Sequence, residues 1–123
     1  MLTKEQILAA PDLKTERVPV PEWGGDVIVS EMTAEAKDAY ELGIFEGEGA
    51  SRKIKNDNMR ARTLSFALVD ENGERMFTEE EVVKLGKKNG KVISRLFDIA
   101  NRLNAMNEEA IEAAKKPSDE TRG

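Results

Sequence analysis

The chain has no cysteine and no histidine in its 123 residues. Without histidine the usual general base at neutral pH is missing, and without either residue so are the usual ligands of zinc and copper. Structural disulfides are excluded too, which fits a reducing cytosol. Positive charge is in deficit: the net charge is -5 and the isoelectric point about 4.9, against the basic surface that nucleic acid or an anionic membrane demands. Aromatics make up 5% of the residues, and none interleaves with the one basic cluster to stack on bases. No stretch approaches the ~18 apolar residues of a membrane span. The opening Met1-Leu2-Thr3-Lys4-Glu5-Gln6 lacks a basic region followed by an apolar one. The expectation is a protein of the cytoplasm, with neither nucleic acid nor membrane as its partner.

What is present suits one domain. At this length a chain buries about two-thirds of the surface its unfolded form exposes, so most of the 39% apolar residues must contribute to a core. Thr3 with Gln6 forms a capping box for a short helix from about Lys4 to Ala10, stopped by Pro11. Only Ile7 and Leu8 are large and apolar there, so this helix is marginal unless it docks on something. Val18 and Val20 flank Pro19 and precede Pro21, which restricts this segment to an edge strand or polyproline-like chain. The β-branched Val27-Ile28-Val29 makes a better strand, and Gly24-Gly25 between them supply positive φ for a hairpin turn.

Thr33 reads as the N-cap of a central helix through Tyr40 and Leu42, extending toward Phe45 before Glu46-Gly47-Glu48-Gly49 ends it. Ser51 to Asn58 has no clear period and reads as a mobile loop. Thr63 to Val69 fits two templates: Leu64, Phe66 and Leu68 alternate like a strand, while Ala61, Leu64 and Leu68 share a helical face. The following Asn72-Gly73 and Met76-Phe77 favour a second β-hairpin. Thr78 with Glu81 forms another capping box, for a short helix that fails near Asn89-Gly90. Val92, Leu96, Ile99, Ala100, Leu103 and Met106 then recur at spacings of three and four, the stripe of a long last helix. Its continuation from about residue 107 to Lys116 has little to bury and is expected to project, and residues 117–123 to be a disordered tail. The expected architecture is α+β: a single domain over residues 1–116 with an N-terminal β-hairpin, a central helix, a second β-hairpin and a C-terminal helical pair.

Several segments are candidate sites. Asp70, Asn72, Glu74, Met76, Thr78 and Glu81 fall at positions 1, 3, 5, 7, 9 and 12 of a calcium-binding loop. Position 6, which needs positive φ, is Arg75 instead of glycine. A hairpin turn followed by a capping box explains the same residues without a metal. The basic cluster Arg52, Lys53, Lys55, Arg60 and Arg62 is either a solvated loop or a docking site for an acidic partner. Trp23, in a Gly-flanked turn, either caps the core or meets a partner. Tyr40 is expected to face the core. The acidic groups Glu79-Glu80-Glu81 and Glu108-Glu109 sit on exposed helix turns, where they favour helix starts and solubility. No nucleophile motif and no phosphate cradle occurs, so no enzyme and no cofactor is expected.

The segment from Arg60 to Met106, with Arg60-Ala61-Arg62, Leu68-Val69-Asp70-Glu71-Asn72-Gly73-Glu74-Arg75-Met76-Phe77-Thr78-Glu79-Glu80-Glu81-Val82, Leu85-Gly86, Leu96-Phe97 and Leu103-Asn104, resembles the tail assembly chaperones of long, non-contractile-tailed bacteriophages of the lambda-like kind. The resemblance covers a little over a third of the chain well. It implies a small protein of the host cytoplasm that coats the tape measure protein, recruits tail tube subunits, self-associates along its client and is absent from the finished virion. The last helix, with Leu103, Met106 and Ile111, would then be client-binding. The family commonly makes a longer product by ribosomal slippage near the end of the first reading frame. Lys115-Lys116 is compatible with an adenine run there, and equally with two lysines facing the negative end of a helix.

Overall fold

In the computed structural model, residues 1–43, 45–46, 53–54 and 57–105 are described. The N-terminal helix α1 (Lys4–Ala9) is closed by its capping box: Thr3 Oγ1 accepts from the Gln6 backbone N–H at 3.1 Å, and Gln6 Oε1 accepts from Thr3 N–H at 3.0 Å. Strands β1 (Thr15–Val20) and β2 (Gly25–Ser30) form the expected antiparallel hairpin, pairing Val18 with Val27 and Val20 with Gly25. A 3-10 turn, Pro21–Trp23, joins them, and Gly24 at φ +80° supplies the left-handed step. β1 is the edge of a three-stranded sheet, in the order β1-β2-β5 with β5 at Leu68–Val69, a position where Pro19 is tolerated.

Helix α2 (Ala34–Leu42) starts where Thr33 Oγ1 accepts from Ala36 N–H at 3.0 Å. It stops short of Phe45, which lies instead in β3 (Phe45–Glu46), paired antiparallel with β4 (Lys53–Ile54). The stretch expected to be loop thus contributes a short strand.

The larger departure lies in α3 (Met59–Ala67). Residues that alternate like a strand are helical, and only Leu68–Val69 is strand, as β5 against Val29 and Ile28 of β2. The second hairpin survives in shortened form. Asp70 N–H donates to Glu74 O at 2.8 Å, Met76 N–H to Leu68 O at 3.1 Å, Val69 bridges Arg75, and Gly73 takes φ +83°. The cause of the misleading alternation is burial on two sides. Ala61, Leu64 and Ala67 enter the main core, while Phe66 enters a second cluster with Met32 and Tyr40. A helix buried nearly all round has no single apolar face to reveal its period.

After a 3-10 turn at Glu79–Glu81 and the short α4 (Val82–Leu85), helix α5 (Gly90–Asn104) crosses the sheet. Asn89 caps it, accepting from Lys91 and Val92 N–H at 2.8 and 3.2 Å. Val92, Ile93, Leu96 and Ala100 are buried against Leu64 and Leu68 of the central layer and Val18, Val20 and Val29 of the hairpin. Surface ion pairs fasten the same helix to that hairpin, Arg95 to Glu22 at 3.0 Å and Arg102 to Glu16 at 2.8 Å. The Arg95 hydrogen bond holds the Glu22 carboxyl below the usual range. The expected run beyond Leu103 is interrupted: Ala105 adopts φ +53° and its N–H caps Arg102 O, so α5 ends at Asn104. The projecting extension and the tail at 117–123 lie outside the described residues.

Candidate interaction surfaces

Arg62, the fourth residue of α3, is not the surface cation its sequence neighbourhood suggests. Its side chain is 13% exposed. Nη2 donates to the carbonyls of Ala39 and Tyr40 at 3.2 and 3.1 Å, at the negative end of α2, and Nη1 pairs with the Glu79 carboxylate. The guanidinium also lies 5.6 Å from the Tyr40 ring centroid and 5.2 Å from that of Phe66. One cation therefore joins α2, α3 and the Glu79 turn. Gly43 makes room for it: a Cβ there would sit 2.0 Å from Arg62 Nη2.

Around this clamp the polar groups are committed to structure. The Tyr40 hydroxyl bonds Thr63 Oγ1 at 2.8 Å, and burial pushes its pKa upward, opposed by the Thr63 hydrogen bond and by Arg62. Arg75 stacks 3.8 Å from the Phe66 centroid and donates from Nε to Ser65 O at 2.9 Å. Burial pushes its pKa down.

The Asp70 to Glu81 loop is likewise engaged in turn and cap. Asp70 Oδ1 accepts from Asn72 N–H at 2.8 Å and Glu74 N–H at 3.0 Å, and Glu81 Oε1 accepts from Thr78 N–H at 2.9 Å. The positive φ belongs to Gly73, while Arg75 is in the bridge to Val69. Asp70, Asn72, Glu74 and Glu81 are not drawn around a common point: among the described residues no group of three or more acidic side chains is placed to hold a metal ion.

The remaining candidates separate by environment. Trp23 is half-buried, folded back on the main core with Lys88 Nζ 6.0 Å from its ring. Arg60 is exposed, its guanidinium 5.6 Å from the Phe97 ring. Leu103 packs one side on the core and lines, with Leu13, Met32, Ala34, Lys37 and Asn104, a groove of about 450 Å³. Asn104 fixes that groove's wall: its Oδ1 accepts from Met32 N–H at 2.7 Å, and its Nδ2 donates to Ala100 O at 3.0 Å and Ser30 O at 3.3 Å. Arg52, Met106 and Ile111 lie outside the described residues.

Sequence reasoning missed how much apolar surface the fold leaves uncovered. Ile7, Leu8 and Leu13 in the first segment, Leu42 at the end of α2, Met76 after the second turn and Val83 on α4 are all exposed, Leu8 to 79% and Leu42 to 80%. The first of these carried a signal: two large apolar residues on a helix too short to support itself. Among the described residues, no helix is long and apolar enough to cross a membrane.

These features describe a small α+β domain in which Arg62, Arg75, Asp70 and Glu81 are engaged by the fold and several aliphatic side chains are displayed. A family model of phage tail assembly chaperones matches residues 4–116. The solved structure of the bacteriophage HK97 tail assembly chaperone is similar in fold, with a TM-score of 0.56 at 24% sequence identity over 80% of this chain and 90% of that one. No curated protein sequence matches. With the match spanning nearly its whole length, the chain belongs to the phage tail assembly chaperone family.

Proposed function

We propose that this protein acts by binding: it coats the tape measure protein in the host cytoplasm, keeps it soluble, recruits tail tube subunits, self-associates along its client and leaves before the virion is complete. The observation that carries this reading is the set of exposed aliphatic side chains, Ile7, Leu8, Leu13, Leu42, Met76 and Val83, on a domain whose conspicuous polar residues are occupied in holding the fold. Uncovered apolar side chains suit the transient capture of an apolar, elongated client. Trp23, Arg60 and Leu103, together with Arg52, Met106 and Ile111, remain contact candidates in this reading, and Arg62 contributes by fixing α2 rather than by touching the client. In this reading a longer product, made by ribosomal slippage near Lys115-Lys116, is also expected.

Co-expression with the tape measure protein encoded by the same phage tests the proposal. The soluble fraction of the tape measure protein is expected to rise severalfold, and the two proteins to copurify. Unchanged solubility beside a well-folded chaperone would overturn it.

A further inference from the structure

Between Glu81 and Asp98 the chain has no acidic residue and five cations. Arg95 is paired with Glu22, but Lys84, Lys87, Lys88 and Lys91 are exposed and take no carboxylate, the four ion pairs among the described residues all being made by arginine. These lysines occupy the corner between α4 and α5, where the backbone is fixed. Lys87 N–H donates to Lys84 O and Lys88 N–H to Leu85 O, both at 3.1 Å, Asn89 caps α5, and Leu85 and Val92 anchor the two sides in the core. Lys87, Lys88 and Lys91 work against the fold. The first two precede the cap of a 15-residue helix and Lys91 is its second residue, where the partial positive charge of the helix start disfavours cations. Beside them stand Val83, 56% exposed, and the half-buried Trp23, with Lys88 Nζ 6.0 Å from its ring. We propose that this corner is a preformed docking surface for a short acidic, partly apolar protein segment carried by the client.

Charge and surroundings select that occupant. The chain is acidic overall, at -5, so an acidic segment is attracted at this corner and repelled elsewhere. Exposed acids border the patch on both sides, Glu79 and Glu80 in the preceding turn and Asp98 further along α5. The space between them suits a few carboxylates and not a long polyanion, which would overrun it. Single-stranded nucleic acid also calls for an aromatic face to stack on, whereas Trp23, the sole tryptophan, is folded back on the core. A segment that sets carboxylates against Lys87, Lys88 and Lys91 and an aliphatic residue against Val83 matches both halves of the surface. This surface presupposes the client binding of the proposed function and names the chemistry of one contact within it.

The single tryptophan makes the test direct. Purified full-length chain is titrated with overlapping, tryptophan-free peptides of the tape measure protein encoded by the same phage, and Trp23 emission is followed. Peptides with clustered carboxylates and an aliphatic residue are expected to bind saturably, and to lose about tenfold in affinity between about 0.05 and about 0.5 M NaCl. Lys87→Glu/Lys88→Glu/Lys91→Glu is expected to weaken the same peptides about tenfold or more, with its urea midpoint unchanged or raised. Lys4→Glu/Lys14→Glu/Lys37→Glu, the same charge change outside the corner, is expected to weaken them less than about threefold. Equal weakening by the two triple variants would reduce the effect to net charge and overturn the proposal. So would binding confined to uncharged or basic peptides, or saturable binding of a single-stranded oligonucleotide or of phosphatidylglycerol vesicles with no acidic peptide bound. In co-expression, a corner variant that solubilises the tape measure protein as well as wild type does would overturn the surface and leave the proposed function standing. No rise in solubility with either chain would overturn the proposed function, and the peptide titration would still decide the corner.

Discussion

Two regions of the molecule invite opposite expectations and reverse them. The segment from Arg60 to Glu81 is dense in charged and turn-forming residues and looks like a site, yet several of its polar side chains are engaged by the fold: Arg62 holds three elements together, Asp70 closes a turn, Glu81 completes a cap. The first 13 residues look bland, yet they display four large apolar side chains after Met1 that nothing in the described chain covers. In a small domain a buried polar residue must be satisfied by the fold, whereas neighbouring uncovered aliphatic side chains are free to meet a partner.

The contrast can be broken by mutation. Arg62→Ala is expected to have the largest effect, lowering stability by about 3 kcal/mol in urea unfolding, because it strips partners from partly buried carbonyls and from Glu79. Gly43→Ala should follow at about 2 kcal/mol, since its methyl displaces the same guanidinium from the α2 carbonyls; a neutral outcome would show that the clamp is dispensable. Tyr40→Phe should cost about 1 kcal/mol at neutral pH through the lost Thr63 hydrogen bond. Its pH dependence has a definite sign. Burial raises the Tyr40 pKa in the folded state, so its contribution is whole below the unfolded value near 10 and is lost as pH rises through the folded one. The variant should therefore lose less stability than the wild type above about pH 10, measured as the difference in urea midpoints. At the small end, Ile7→Ser/Leu8→Ser should change the unfolding free energy of the isolated chain in urea by less than about 0.5 kcal/mol, as expected for exposed positions.

Local rules read well wherever one interaction decides. Capping by Thr3, Thr33 and Thr78, the Gly24 turn, the edge placement of the Pro19 strand and the α5 stripe were all legible, because each depends on residues close in sequence, whereas Asn89 read as a helix break and proved to be the cap of α5. The α3 segment was not, because Leu64 and Phe66 serve different cores, and their alternation records the positions of two distant partners rather than a backbone period. The role of Arg62 was hidden for the same reason: Ala39, Tyr40 and Glu79 are 17 to 23 positions away. The left-handed Ala105 that ends α5 carries no glycine to announce it. Of the candidate surfaces, only the marginal first helix gave a usable warning, in the disproportion between its length and its apolar load.

Whether surface left idle by the fold is the surface that works is decided by the soluble fraction of tape measure protein co-expressed with wild-type chain or with Ile7→Ser/Leu8→Ser. The variant, equal to wild type in its urea midpoint, is expected not to raise that fraction. A variant that solubilises the tape measure protein as well as the wild type does would contradict it.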